Sequence, residues 1–199
     1  MRVTVFGASG RTGRELVQQG LARGHQITAF VRDGSKLEGA GEGLEVVQGD
    51  ARDADAVARA VEGREAVVSL LSLSAADREP ELSEATETVI EAAGLAGARR
   101  FVLTANNDVF GDDEVTGEFA AQAREHRRDR EAVRGSGLDW TIGAAPWVTD
   151  DRRTGNYRAI VDQKAPAKRI AKADFATFAL DALERDDWIG HIVGVSEFS

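Results

Sequence analysis

Unbroken apolar runs alternate along the chain with longer stretches in which apolar residues recur every three or four positions. The first kind fits strands buried on both faces of a sheet, and the second fits amphipathic helices. Residues 3–6, 27–31, 44–48, 66–71, 101–105 and 138–143 read as strands. A helical pattern runs through Leu16, Val17 and Leu21 to Gly24. A second covers 53–61, with Val57 and Val61 on one face. A third covers 81–96, with Leu82, Thr86, Val89, Ile90 and Ala93 as its buried stripe. A fourth, very charged, covers 117–134. Gly24, Gly63 and Gly135-Ser136-Gly137 stand where helices stop. Residues 34–43 read as a loop with one helical turn, and 72–80 as a polar loop. The loop at 106–116 is long for an ordinary connection, and long loops are often functional. Ala145-Pro146-Trp147 breaks the pattern. After it come a polar turn at 150–155, a strand at 157–161, and a helix introduced by 170–174 with Phe175, Phe178, Ala179 and Leu183 inward. A last strand covers 189–195. Such alternation predicts an α/β fold: one doubly wound, Rossmann-like parallel sheet with helices on both faces, spanning 1–199 as a single domain.

The opening carries the first chemistry. A strand leads into Gly7-Ala8-Ser9-Gly10-Arg11-Thr12-Gly13, a helix follows, and a second strand ends at Arg32. In this context the glycines have separate tasks. Gly7 turns the chain off the strand, Gly10 lets a pyrophosphate approach the backbone, and Gly13 lets the helix lie close to the sheet. The free N–H groups and positive dipole end at the helix start then face the phosphates. The end of the second strand separates the nucleotides. A carboxylate there suits the ribose hydroxyl of NAD(H), and an arginine suits the 2′-phosphate of NADP(H). Arg32, with Arg11 in the turn and Lys36 beyond it, favours NADP(H) over NAD(H); Asp33 is the counter-argument, an acid one position late. In a doubly wound sheet the ligand sits at the carboxyl ends of the strands. Those ends are 7–13, Arg32, Asp50, 71–72, 104–107 and 145–147, six segments expected to meet in one cleft.

Composition narrows the partners. The 199 residues carry 34 acidic and 25 basic side chains, a net charge of −9. With no basic tract, such a chain repels nucleic acid and anionic membranes. No run approaches a membrane span and no leader precedes Val3, so a cytoplasmic protein is expected, a monomer or weak homodimer acting on a small molecule. Without cysteine there is no disulfide, thiolate site or thiol nucleophile. His25, His126 and His191 lie far apart in sequence, and no metal site is expected.

With these segments in place the chain resembles an atypical short-chain dehydrogenase/reductase of the NAD(P)H-binding, NmrA-like group, closest to its biliverdin IXβ reductase/flavin reductase branch. The resemblance rests on Phe6 to Gly13, Val31-Arg32-Asp33 with Ser35 and Lys36, Gly49-Asp50, Ser136-Gly137-Leu138, Gly155 with Tyr157, Ile170 to Phe175, and Gly190-His191. It implies that Gly7, Ser9, Gly10, Arg11, Thr12 and Gly13 hold the pyrophosphate side, and that Arg32, Ser35 and Lys36 surround the 2′-phosphate. Asp50 would accept from the adenine amino group, with Ala51 beside it. Leu71 and Ser72 would line the way to the nicotinamide, and Thr104, Asn106, Ala145, Pro146 and Trp147 would frame its ring. Asp50 could instead cap the following helix.

The chain also departs from its relatives. Many use a Tyr-x-x-x-Lys pair as proton donor, but the lone tyrosine, Tyr157, has Val161 at the lysine position. Asn106 replaces the serine of the flavin reductase branch, Trp147 its histidine, and Ala145 the arginine common in NmrA-like relatives. His126 matches a family histidine, although it stands among Arg124, Glu125, Arg127 and Arg128 as on a solvated helix face. Asn106 or Asn107 could donate to a developing oxyanion or merely shape a turn. Trp147 could offer a flat surface to an aromatic substrate or pack in the core. His126 could supply a proton. Asp112, Asp113 and Glu114 read as a wet acidic loop. Loops 106–116 and 144–170 are expected on the substrate side. The leading expectation is an NADPH-dependent reductase of flavins, quinones or other flat conjugated carbonyl compounds. The alternatives are a non-redox NADP(H) sensor and a tailoring enzyme for isomerisation or cyclisation.

Overall fold

A computed structural model describes residues 1–37, 42–72, 81–112 and 115–198, with Lys36 and Glu118 described by their backbone alone. Its strands are β1 (Arg2–Phe6), β2 (Gln26–Val31), β3 (Leu44–Gln48), β4 (Ala66–Ser69), β5 (Arg100–Asn106), β6 (Asp139–Ala145), β7 (Trp147–Thr149), β8 (Tyr157–Val161), β9 (Arg169–Ala171) and β10 (His191–Glu197). The helices are α1 (Arg11–Ala22), α2 (Ala54–Val61), α3 (Glu81–Ala96), α4 (Ala120–Gly135) and α5 (Lys172–Glu184). Eight strands form one sheet in the order β3-β2-β1-β4-β5-β6-β10-β8, while β7 and β9 pair apart from it. All neighbours in the large sheet run parallel except β8, which runs antiparallel to β10. This is the doubly wound fold expected from the sequence. The order reverses between β1 and β4, so a crevice opens there at the strands' carboxyl ends.

Two apolar layers hold the sheet. Val3 and Val5 of β1 pack with Leu16 and Val17 of α1 and Phe175, Phe178 and Leu180 of α5. Phe6 faces the other way, toward Ala56 and Val57 of α2 and Val89 of α3, with its ring 4.9 Å from that of Phe30. Thr4, buried in a central strand, donates its hydroxyl proton to Ala60 O at 2.6 Å, which satisfies the polar group away from water. Gly143 lets α5 lie close: a Cβ there would stand 2.2 Å from the Phe178 ring.

Between α3 and α4 the packing is acidic. Glu125 is fully buried, accepts the Ser83 N–H at 2.9 Å and pairs with Arg128. It therefore satisfies an orphan donor in the first turn of α3. Asp129, 1% exposed, leaves Oδ1 without a hydrogen-bond partner among the described residues. Burial pushes its carboxyl up to about 7, and Glu125 and Glu87 add to the rise.

Several boundaries differ from the sequence expectation. The fourth strand stops at Ser69, because Leu70 and Leu71 leave the sheet to line the crevice. A 3-10 turn, Gly117–Phe119, precedes α4, and another, Asn107–Phe110, occupies the expected long loop. The chain does not simply break at Pro146: β6 runs to Ala145, and Trp147–Thr149 becomes β7 against β9. The last strand is shifted onto His191–Glu197, with Gly190 at φ +81° before it. Asp53, not Asp50, caps α2, accepting from Asp55 N and Ala56 N.

The buried Asp129 sets a pH dependence. Its folded pKa lies above that of the unfolded chain, so its contribution is intact below about pH 4 and is lost as pH rises to about 7. Asp129→Asn should flatten that slope and raise unfolding stability at pH 8 by about 2 kcal/mol. Urea melts of both proteins between pH 4 and 8 measure this. A parallel pair of curves would show that the carboxyl keeps no buried proton.

Candidate functional site

The glycine turn lies at the crevice between β1 and β4. Gly7 adopts φ +77°, and a Cβ on it would meet Leu70 O at 2.6 Å. A Cβ on Gly13 would come within 2.2 Å of Gly7 O, so the packing it relieves is inside the turn as well as against the sheet. Gly10 N–H donates to Gly7 O, and Arg14 N–H donates to Gly10 O, both at 3.0 Å. The N–H groups of Arg11, Thr12 and Gly13 precede that first helical bond and have no partner four residues back. Gly10 caps α1 without a side chain, and the first turn holds no acid. The helix thus presents an uncovered positive end to the crevice.

Two lobes meet at this turn and share Gly7, Gly10, Leu70, Leu71 and Ser72. The first, about 200 Å³, is walled by Phe30, Arg32, Asp50, Ala51, Arg52, Glu81, Leu82 and Ala85. Arg52 grips Asp50 with three bonds: its backbone N–H to Oδ1 at 2.9 Å, Nε to Oδ1 at 3.1 Å, and Nη2 to Oδ2 at 2.8 Å. Those bonds hold the Asp50 carboxyl down at about 2. Asp33 Oδ1 accepts both the N–H and the hydroxyl of Ser35, closing the 3-10 turn after β2. Neither Asp33 nor Ser35 lines the lobe, whereas Arg32 does.

The second lobe, about 450 Å³, lies over the ends of β5 and β6. Thr104, Asn106, His126, Ala145, Pro146, Trp147 and Val148 line it, together with Phe119, Gln122 and Phe175. The sequence suggests a solvated His126; the structure corrects this, leaving it 3% exposed, because α4 turns that face onto β5. Its Nδ1 accepts the Asn106 N–H at 3.2 Å. Burial lowers its pKa to about 4, against a smaller opposing effect from Asp108. The ring is therefore neutral near pH 7, with its proton on Nε2. Asn106 Oδ1 accepts the Asp108 N–H at 3.1 Å, so the side chain does shape the turn, and its amide N–H groups are what remains to offer. Thr104 donates to Ser69 O at 3.3 Å. Trp147 is 65% exposed and Phe119 47%, so neither is core packing.

Most of the residues expected from the sequence are brought together: Gly7, Ser9, Gly10, Arg11, Thr12, Gly13, Arg32, Asp50, Ala51, Leu71, Ser72, Thr104, Asn106, His126, Pro146 and Trp147 all line one cleft. Asn107 does not line it; its Oδ1 is buried without a hydrogen-bond partner among the described residues. Lys36 has no described side chain, and Asp113 and Glu114 lie outside the described residues. Asp112 pairs with Arg130 at 2.6 Å. Tyr157 stands away from the cleft and donates to Asp181 at 2.5 Å; burial and that carboxylate push its pKa up. Arg52, Glu81, Phe119 and Gln122 are additions. Arg52 was signalled by its place just past Asp50 at a strand end; Phe119 and Gln122 carry no sequence signal of their own. Among the described residues no cluster suits a metal and no helix is long and apolar enough to cross a membrane.

Comparison with known proteins agrees with this fold. The profile of the NAD(P)H-binding family matches residues 7–186. The chain is 30% identical, over 98% of its length, to (4-alkanoyl-5-oxo-2,5-dihydrofuran-3-yl)methyl phosphate reductase of Streptomyces griseus, and spans 67% of that protein. It is 38% identical over 58% of its length to a 3β-hydroxysteroid dehydrogenase/Δ5→4-isomerase of Mycobacterium tuberculosis, spanning only 35% of it. In fold it resembles the anaerobilin reductase ChuY of Escherichia coli O157:H7, with TM-score 0.84, 23% identity, and 99% and 97% of the two chains covered. It also resembles a short-chain dehydrogenase/reductase of Veillonella parvula solved with NADP, with TM-score 0.82, 18% identity, and coverage of 98% and 94%.

The turn geometry gives a direct test. Gly13→Val should weaken binding of a nicotinamide dinucleotide more than about tenfold, a loss of about 1.4 kcal/mol, since the new side chain drives into Gly7 O. Isothermal titration measures it; unchanged affinity would place the dinucleotide elsewhere.

Proposed function

Since the chain belongs to the NAD(P)H-binding family, we propose that it is an NADPH-dependent reductase that passes hydride to a flat conjugated carbonyl compound, with flavins and quinones as the first candidates. The observation that carries this reading is the continuous two-lobed cleft, which runs from an uncovered helix end to an aromatic mouth. The residues present fit the cofactor. Uncapped N–H groups of α1 and a turn with glycine at positions 7, 10 and 13 suit a pyrophosphate. Arg32 on the wall of the first lobe suits a 2′-phosphate, and Asp33, which accepts from Ser35, does not line that lobe. These two features support NADP(H) over NAD(H).

NADPH supplies the hydride when bound, and the chain supplies position and charge. Thr104, Ala145 and Pro146 form the floor and wall of the second lobe, in the cytoplasmic, small-molecule enzyme envisaged here. Trp147 and Phe119 stand exposed at its mouth, where a planar acceptor can lie against them. Asn106 of loop 106–116 and Ala145 to Val148 of loop 144–170 line this lobe, and in this scheme the two loops form the substrate side. His126 acts as a neutral N–H donor. It stabilises oxygen charge as it develops but is too weak an acid to deliver a full proton at neutral pH. That favours acceptors whose negative charge delocalises, with water giving the proton afterwards. Asn106 offers amide N–H groups to the same oxygen. Asn107, away from the lobe, has no role in this scheme.

That no described residue of the second lobe is a ready acid favours one other reading, a sensor that binds NADP(H) without turnover. Loss of reduced-nicotinamide absorbance against a panel of flavins, quinones and enones separates the two. Turnover supports the reductase; tight NADPH binding with no acceptor consumed overturns it. Two substitutions sharpen the reading. Arg32→Ala should cut NADPH affinity about tenfold or more while changing NADH affinity less than about twofold. Trp147→Ala should raise KM for a planar acceptor about tenfold with NADPH affinity kept.

A further inference from the structure

At the aromatic mouth of the second lobe the surface charge changes sign. Trp147 and Val148 of β7 line that lobe, and the chain then enters the polar turn from Asp150 to Gly155. This turn is pinned beside the lobe at both ends. Asp150 bridges Arg11, itself a lining residue, at 3.1 Å and Lys172 at 3.0 Å. Thr154 N–H and Gly155 N–H donate to Asp174 at 3.0 and 2.9 Å, and the next residue, Phe175, lines the lobe. Across the small sheet, Trp147 N–H donates to Lys168 O at 3.2 Å, and Trp147 stands in register with Arg169. Segments 150–153 and 168–172 thus set Arg152, Arg153, Lys168, Arg169 and Lys172 against Asp150 and Asp151. Both acids are engaged, Asp150 as above and Asp151 by the Thr149 hydroxyl at 2.8 Å. Arg169 Nε lies 3.0 Å from both carboxylate oxygens of Glu197. Arg152, Arg153 and Lys168 are exposed and have no hydrogen-bond or ion-pair partner among the described residues. A chain of net charge −9 sets a negative field against an approaching anion. This rim reverses it where a substrate enters.

We propose, resting on the reductase reading above, that Arg152, Arg153 and Lys168 determine specificity by selecting a planar acceptor that carries an anionic tail, a phosphate or a carboxylate. The ring lies against Trp147 inside the mouth, and the tail stays outside on the unpaired cations. A guanidinium takes either kind of group through two parallel N–H bonds. Such pairs remain in water, so they act on capture and orientation rather than on the hydride step. Their effect therefore falls on KM and weakens as salt is added. Arg11 and Lys172, held by Asp150, complete the positive edge without leaving their own partner.

The test compares acceptors that share a ring and differ in the tail: riboflavin with FMN, and menadione with its propionate derivative, each reduced by NADPH with the full chain. At about 20 mM ionic strength kcat/KM should favour the anionic member of at least one pair by roughly tenfold, carried by KM, and at about 0.5 M that preference should shrink to about twofold. The pair with the larger preference tells phosphate from carboxylate. Arg152→Ala/Arg153→Ala should cut the preference to about threefold, and adding Lys168→Ala should level it, with the loss falling on the anionic acceptors and NADPH affinity kept. Arg152→Lys/Arg153→Lys, which keeps both charges, should keep most of the preference. Arg59→Ala/Arg134→Ala removes the same charge at the last turns of α2 and α4, away from the lobe, and should leave the preference as it is. Three results overturn the proposal: neutral and anionic acceptors used equally well at low salt, a preference that survives loss of all three cations, or a loss in those variants that falls on NADPH affinity. Turnover of no acceptor at all would instead remove the reductase reading, and this inference with it.

Discussion

The whole arrangement depends on backbone meeting backbone where β1 and β4 diverge. Gly7, Leu70 and Gly13 approach so closely that a Cβ on either glycine would lie 2.2 to 2.6 Å from a carbonyl oxygen. That contact draws the start of α1 against the strand ends. Because the residue that caps α1 is Gly10, no capping side chain occupies the helix start, and its first N–H groups are left toward the crevice. Fold and binding chemistry are therefore one constraint: a side chain large enough to disturb the packing would also bury the donors.

Charge is distributed around the cleft with equal economy. The chain is acidic overall, at −9, yet the first turn of α1 has no acid, and Arg32 and Arg52 both line the first lobe. Asp150 bridges Arg11 and Lys172 beside the turn, at 3.1 and 3.0 Å, so the turn arginine has an internal carboxylate partner. In the second lobe the trend reverses. Burial keeps His126 uncharged, and Phe119, Trp147 and Phe175 join the lining. One end of the cleft is suited to phosphates and the other to a planar ring.

The first lobe and the glycine turn were legible because they use local, periodic signals. Glycines at fixed spacing, Arg32 at a strand end and Asp50 at another all follow from a strand–turn–helix reading, and each lies on the cleft. The second lobe was legible in outline only. His126 reads as solvated because its neighbours in sequence are charged, whereas α4 packs against β5 on the side where His126 lies. Asn106 and Asn107 look equivalent in sequence, but the 3-10 turn that starts between them sends one to the cleft and the other inside. Phe119 and Gln122 come from a helix start that nothing in their own pattern ties to the site. Pairing of Trp147–Thr149 with Arg169–Ala171 is a long-range event that a pattern break at Pro146 could not reveal.

That small pair of strands has a wider consequence. The excursion between them, which carries β8 to the far edge of the sheet, departs and returns through adjacent hydrogen-bonded strands, and Asp174 fastens it further by accepting from Thr154 N and Gly155 N at about 3 Å. A segment held at its root and again along β8, where Tyr157 and Ala159 pack against the core, moves with the sheet as one piece. Arg152 and Arg153 stand exposed between the two ties, so tolerance to insertion concentrates there.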